Sequence, residues 1–464
     1  MSRREATART PSAEAPMALR FPAGFRWGTA TSSYQVEGAV NEDGRGPSIW
    51  DSFVRQPGRI RDGSTGDVSA DHYHRYREDI ALMKAMGAKT YRFSIAWPRL
   101  FPDGRGTFNA KGLAFYDQLV DALLESGIEP FATLYHWDLP QALQDKGGWQ
   151  ARDTAVAFGD YTAEVARRLS DRVSNFFTLN EMLTFVELGY REGIFAPGLK
   201  LDPAALNQVR HHAVLAHGLA VQAVRANARA GTRVGPAENI TTAVPAVETA
   251  ENIRAAELAT RELNAPYLTV MLEGRYTEGY LAAAGANAPK FTARDLEIIA
   301  SPIDFVGLNV YTPGQYVVAS EAKPGWSVMP FQPSYPHMAS DWLRIGPESL
   351  YWAPRHAAKL WGAKDIYITE NGTSAADQPA ADGMVYDMDR VMYLRSYLTQ
   401  LQRATAEGVP VRGYFLWSLL DNFEWADGYG KRFGLVHVDF AIQKRTPKLS
   451  ASFYREVIAR NATA

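Results

Sequence analysis

Eight short apolar runs, most of them separated by segments of helical periodicity, restrict what this 464-residue chain can become. They occupy 25–30, 90–95, 130–135, 175–179, 232–236, 305–310, 366–369 and 411–417. Each is mostly apolar, the pattern of a strand buried on both faces. Between them, Ile80, Leu82, Met83 and Met86 recur at helical spacing ahead of Gly87, and Leu113, Phe115, Tyr116, Leu119, Leu123 and Leu124 do so ahead of Gly127. Strands that alternate with helices pair in parallel through crossovers, and eight such repeats close into a (β/α)8 TIM barrel. An open doubly wound sheet would carry a glycine-rich phosphate loop after an early strand. Here Pro22-Ala23-Gly24 precedes the first run and Gly104-Arg105-Gly106 falls in a turn, so the barrel is the expected fold. No repeat or linker divides the chain; residues 1–19, rich in Arg, Ala, Ser, Thr and Pro, are expected to be a disordered tail and 20–464 a single barrel domain. The Pro- and Gly-rich stretch 320–336 is expected to be a long loop.

Composition narrows the function. Lysine plus arginine (49) nearly balances aspartate plus glutamate (51), so no net field recruits nucleic acid or an anionic membrane. No stretch approaches the roughly 18 apolar residues of a membrane helix. The lack of cysteine excludes disulfides, thiolate zinc sites and thiol catalysis. The expectation is a cytoplasmic protein that takes a small neutral ligand and no cofactor or metal.

In an eight-fold barrel the chemistry sits at the C-terminal ends of the strands. The first run is followed by Gln35-Val36-Glu37-Gly38; the second contains Arg92; the third ends in His136-Trp137-Asp138; the fourth ends in Asn180-Glu181. The sixth supplies Asn309 and Tyr311, the seventh Glu370, and the eighth ends at Trp417 and continues into Asp421-Asn422-Phe423-Glu424-Trp425. Tryptophan faces stack on the apolar side of a pyranose, while amides and carboxylates bind its hydroxyls. Glu181 and Glu370, on the fourth and seventh strands of one ring, face a shared cavity. Glycoside cleavage needs such a pair: one carboxylic acid protonates the departing oxygen, and the other attacks the anomeric carbon or activates water.

The chain resembles the family 1 glycoside hydrolases, the β-glucosidase family, from Phe21 to about Tyr454. The resemblance is carried, in order, by Phe25-Arg26-Trp27-Gly28-Thr29-Ala30, Gln35-Val36-Glu37-Gly38, His136-Trp137-Asp138-Leu139-Pro140, Thr178-Leu179-Asn180-Glu181, Thr369-Glu370-Asn371-Gly372 and Asp421-Asn422-Phe423-Glu424-Trp425. It implies a retaining, exo-acting β-glycosidase in which Glu370 is the nucleophile and Glu181 the acid/base. It also implies a sugar cradle of Gln35, His136, Asn180, Trp417, Glu424 and Trp425, with Asn309 and Tyr311 supporting Glu370 and Trp342 as leaving-group platform. Arg92 is expected to hold Glu370 as an anion, and the charge of Glu370 to raise the pKa of Glu181. The implied substrates are unphosphorylated β-glucosides, with β-galactosides and β-fucosides as possible seconds. A family member specialised for another glycone or a natural-product glycoside, and a silent sugar-binding relative, are the alternatives.

Other conspicuous residues have plainer readings. His72 and His74 open a helical pattern at a spacing that does not bring side chains together, which argues against a metal pair. His211-His212 is expected on a helix surface, and Trp50, Trp149, Trp352 and Trp361 in packing roles. The chain departs from the family pattern at Met182, where Pro is common; at Val310, where Tyr is common; and over Gly235-Pro236-Ala237-Glu238-Asn239, in the fifth strand.

Overall fold

The computed structural model describes residues 20–463, so the expected tail at 1–19 lies outside the described residues. Eight parallel strands close into a barrel in chain order: β1 (Arg26–Ala30), β2 (Thr90–Ser94), β3 (Glu129–Tyr135), β4 (Asn175–Asn180), β5 (Arg233–Asn239), β6 (Val306–Asn309), β7 (Ile366–Asn371) and β8 (Val411–Trp417), with β8 returning to β1. The TIM barrel read from the alternation of runs is the architecture observed. β5 extends three residues past the run at 232–236, because β4 and β6 offer pairing on both sides and override the weak strand preference of Pro236, Glu238 and Asn239. That extension puts Glu238 and Asn239 on the barrel rim.

Aromatic rings fill the barrel floor. Phe131 lies with its centroid 5.0 Å from Phe415, 5.6 Å from Tyr367 and 6.0 Å from Phe177, so the interior is packed solid below the strand tips. At the opposite end of the strands, Arg26 pairs with Glu129 at 2.9 Å, and Asp365 joins Arg233 at 2.5 Å to Arg412 at 2.6 Å. These partly exposed pairs tie strand starts together, away from the rim that carries the polar residues.

Two expectations need correction. The stretch 320–336 is not all loop: Trp326–Met329 forms a strand antiparallel to Gln315–Ala319, which in turn pairs with Ala243–Pro245 in a small sheet beside the barrel. His211 and His212 are not on a helix surface. Both are buried in the long helix Pro203–Asn227, where their Nδ1 atoms bond the Tyr276 hydroxyl and the Trp149 carbonyl, each at 2.9 Å. This helix is covered by Arg152–Leu169 on one side and Ala293–Ile299 on another, so it has little surface to give. His72 is buried against Asp79 at 2.7 Å, while His74 is exposed beside Asp71 and Glu42. Trp50, Trp149 and Trp352 are buried, and Trp361 is half-buried. No described helix is long and apolar enough to cross a membrane.

Candidate active site

Apolar strand residues carry Glu181 and Glu370 to the rim, and irregular pairing turns both inward. Between β6 and β7 the register runs Leu308 to Ile368 and then Asn309 to Glu370, with one extra residue on β7. Between β4 and β5 it slips in the same way ahead of Asn180. Such bulges re-aim side chains beside sites. Glu181 itself adopts φ 50° and ψ 63°, in the left-handed region, directly before the short helix Met182–Val186. Glu181 and Glu370 are 6% and 3% exposed.

A continuous set of hydrogen bonds joins them. Arg92, reaching up from β2, donates from Nη1 to Glu370 Oε1 and from Nη2 to Asn180 Oδ1, each at 2.6 Å. Asn309 Nδ2 donates to Asn180 Oδ1 at 3.0 Å and to Glu181 Oε1 at 2.8 Å. The Tyr311 hydroxyl donates to Glu370 Oε2 at 2.7 Å. Val310, at the position of the family's common Tyr, is buried and its N–H donates to the Glu370 carbonyl at 2.9 Å. The neighbouring Tyr311 makes the phenol contact.

Electrostatics separate the two acids. Burial, and after it the charge of Glu370, pushes Glu181 up to about 7. The sequence reading named only the charge; the structure makes loss of water the larger cause. Glu370 is also raised by burial, but Arg92 and the Tyr311 hydrogen bond pull against that rise. Both carboxyls are raised by burial, but only Glu370 has a guanidinium and a phenol that favour its ionised form.

Around the pair lie the expected sugar-facing groups. Gln35, on the turn of helix Ser33–Val36, donates from Nε2 to Asn422 Oδ1 at 3.1 Å and to Glu424 Oε2 at 3.3 Å. His136 is held neutral by burial and accepts at Nε2 from Asn180 Nδ2 at 3.1 Å. Its Nδ1 is then a buried donor with no partner among the described residues. The Trp417 ring stacks against His136 at 5.6 Å. Trp425 lies among Trp50 and Trp137, both at 4.5 Å, and stacks on His136 at 5.9 Å. Trp342 stands apart from these: it is 48% exposed at the mouth, edge-on to Tyr311 at 5.7 Å. Among the described residues no group of His, Cys, Asp and Glu is placed to hold a metal ion.

Three participants stand inside segments the sequence singles out but carry no role there. The Trp137 indole N–H donates to the Asn180 carbonyl at 2.8 Å. Thr369 Oγ1 donates to Asn309 Oδ1 at 2.6 Å, which orients the amide that reaches Glu181. Glu238, on β5, accepts from the backbone N–H of Met182 at 2.8 Å and of Leu183 at 3.0 Å. The signal for Glu238 was present, since a Glu-Asn pair closes the fifth run much as Asn-Glu closes the fourth.

The model of glycosyl hydrolase family 1 matches residues 17–463. Beta-glucosidase A of Acetivibrio thermocellus is 46% identical over 96% of this chain and 99% of its own length. Beta-glucosidase A of Thermotoga maritima is 43% identical over 95% of this chain and 98% of its own. The solved structure of a Thermotoga maritima beta-glucosidase in complex with deoxynojirimycin superposes with a TM-score of 0.87 at 41% identity, covering 96% of this chain and all of that one.

Proposed function

Since the chain belongs to glycosyl hydrolase family 1, we infer that it is a retaining, exo-acting β-glucosidase of unphosphorylated β-O-glucosides, with residues 20–464 working as one catalytic domain. The observation that carries this reading is the pair of buried glutamates, Glu181 pushed up to about 7 and Glu370 supported by Arg92 and Tyr311. A pair of carboxyls with separated protonation states is what double displacement at an acetal requires.

In the first step Glu370 attacks the anomeric carbon, the bond to the aglycone oxygen breaks, and the Glu181 proton passes to that oxygen. The glucosyl group is now an ester of Glu370, which carries no charge. Loss of that neighbouring charge lowers the pKa of Glu181, so the residue that gave a proton takes one from water. The water oxygen attacks the same carbon and displaces the Glu370 carboxylate, and two inversions leave the configuration retained.

The glycone is read by Gln35, His136, Asn180 and Glu424, with Trp417 and Trp425 as the apolar walls. Asn180 stands beside the acid and binds the 2-hydroxyl, a contact that strengthens in the transition state. Glu424, raised well above the usual carboxylate range by burial and by the charges of Asp427, Glu370 and Glu181, bonds hydroxyls on the far side of the ring, and the acidic groups gathered there disfavour a phosphorylated sugar. β-Galactosides and β-fucosides, which differ from glucosides at the far side, are secondary substrates. The names of the relatives, and the sugar-like inhibitors held by the Thermotoga maritima enzyme, support a glucose-sized occupant.

Hydrolysis of 4-nitrophenyl β-glucoside tests the activity, and trapping with a 2-fluoroglucoside followed by peptide mapping tests the mechanism. Label on the peptide containing Glu370 is expected. Label elsewhere sinks the assignment, and binding of glucose with no hydrolysis of any glycoside would instead indicate a silent sugar-binding protein.

A further inference from the structure

The backbone that follows Glu181 is fastened to the end of β5 at four consecutive residues. The Glu181 N–H donates to the Ala237 carbonyl at 2.8 Å. Next, the Met182 N–H donates to Glu238 Oε2 at 2.8 Å and the Leu183 N–H to Glu238 Oε1 at 3.0 Å. The Thr184 hydroxyl closes the set, donating to Asn239 Oδ1 at 2.9 Å. Glu238 is fully buried, and its remaining contact is the N–H of Asn239 at 3.2 Å. Every hydrogen bond drawn to its carboxylate comes from a backbone N–H, so the side chain holds main chain and not another side chain.

Two departures from the family pattern are thus one contact. A proline at 182 would have no N–H to offer; methionine adds a donor, and the unusual fifth strand supplies the acceptor. What the contact secures is a residue in a costly conformation. Glu181 sits at φ 50°, and a side-chain-bearing residue stays there only where its surroundings over-determine it. Release of the next two N–H groups would leave buried donors unpaired and free the Glu181 peptide to relax.

We propose that Glu238 is a positioning residue for the reaction: by clamping the backbone of Met182 and Leu183 it fixes the direction in which the Glu181 carboxyl meets the departing oxygen. The proposal rests on the assignment of Glu181 as the acid/base. Burial raises Glu238 to about 8, and the N–H groups of Leu183 and Met182 oppose that rise. Glu238 needs no proton exchange with substrate to do this work.

The test uses the full chain and a series of β-glucosides graded by leaving group. Departure of 2,4-dinitrophenolate needs no proton, whereas an alkyl alcohol cannot leave without one. Misdirection of the acid is therefore read as a selective loss on the alkyl glucoside. For Glu238→Gln, which turns one acceptor oxygen into a donor facing an N–H, kcat/KM on the alkyl substrate should fall about 30-fold or more while the dinitrophenyl substrate stays within about threefold. Glu238→Leu should show the same split more strongly, and if it fails to fold the Gln variant still decides. Equal loss on both substrates, or no loss on either, overturns the proposal and leaves Glu238 a purely structural anchor. Glu181→Ala serves as the reference: if it too shows no dependence on the leaving group, the assignment of Glu181 fails, and the proposal with it.

Discussion

Arg92 Nη1 lies 2.6 Å from Glu370 Oε1, with both side chains buried. The guanidinium also holds Asn180, so a single side chain from β2 spans the residues at the tips of β4 and β7. Arg92→Met removes the group that works against the burial-driven rise of Glu370. If Glu370 is the nucleophile, attack requires its ionised form, so the acidic limb of the kcat/KM profile should move to higher pH. Breaking a buried pair also costs about 3–5 kcal/mol, which a denaturation curve would register. An acidic limb that stays in place would show that Arg92 does not set the nucleophile's charge.

Glu370→Ala should lower turnover by roughly 10⁴-fold or more. Azide has room to enter where the carboxylate was and should restore reaction, with an α-glucosyl azide as product, identified by proton NMR. A β-configured azide would mean that the two glutamates have exchanged roles.

Burial and the charge of Glu370 push Glu181 up to about 7, and as the proposed acid it would give its proton to the leaving group. Wild-type kcat/KM should therefore decline as pH rises through about 7. In Glu181→Gln that limb should disappear while the rate on a phenyl glucoside falls by about 10²–10⁴-fold. Persistence of the basic limb in the variant would assign it to another group.

Trp342→Ala isolates the mouth of the site from its floor. The ring is 48% exposed, so its removal should leave thermal stability unchanged. If it is the leaving-group platform, loss of stacking worth about 0.5–1.5 kcal/mol predicts a several-fold higher KM for aryl glucosides and a smaller effect on methyl glucoside. Equal effects on both would remove Trp342 from the site.

Gly372 lets β7 end against β8: a Cβ there would sit 1.7 Å from the Trp417 carbonyl oxygen. Gly372→Ala should cost about 1–3 kcal/mol in stability by overpacking and should displace Glu370 relative to Trp417. Differential scanning and kcat/KM together would detect both; an unaltered variant would mean that the strand tips part easily.

The barrel was legible because it is written redundantly, in eight runs and in the glycines that stop the helices between them. The candidate site was legible at strand tips, where polar side chains end apolar strands; that rule singled out Glu181 and Glu370, which the structure joins through Arg92, Asn180 and Asn309. Glu238 was passed over because it reads the backbone of another strand's loop, and such a contact leaves no spacing in the sequence. The burial of His211 and His212 was missed for a related reason. Their helix is covered on more than one side, and a short stretch of sequence does not announce how many neighbours a helix has. Proline and glycine flank Trp326–Met329 and argue locally for a loop; its strand is made by pairing with Gln315–Ala319.

The rings of Phe131, Phe177, Tyr367 and Phe415 close the barrel beneath Arg92, whose guanidinium lies 5.3 Å above the Phe177 centroid. The chamber that holds the glutamates is therefore closed from below. A ligand cannot pass down the barrel axis and must arrive and leave across the rim. Product set free against this floor departs on the side from which substrate comes, so turnover is tied to how quickly that side clears.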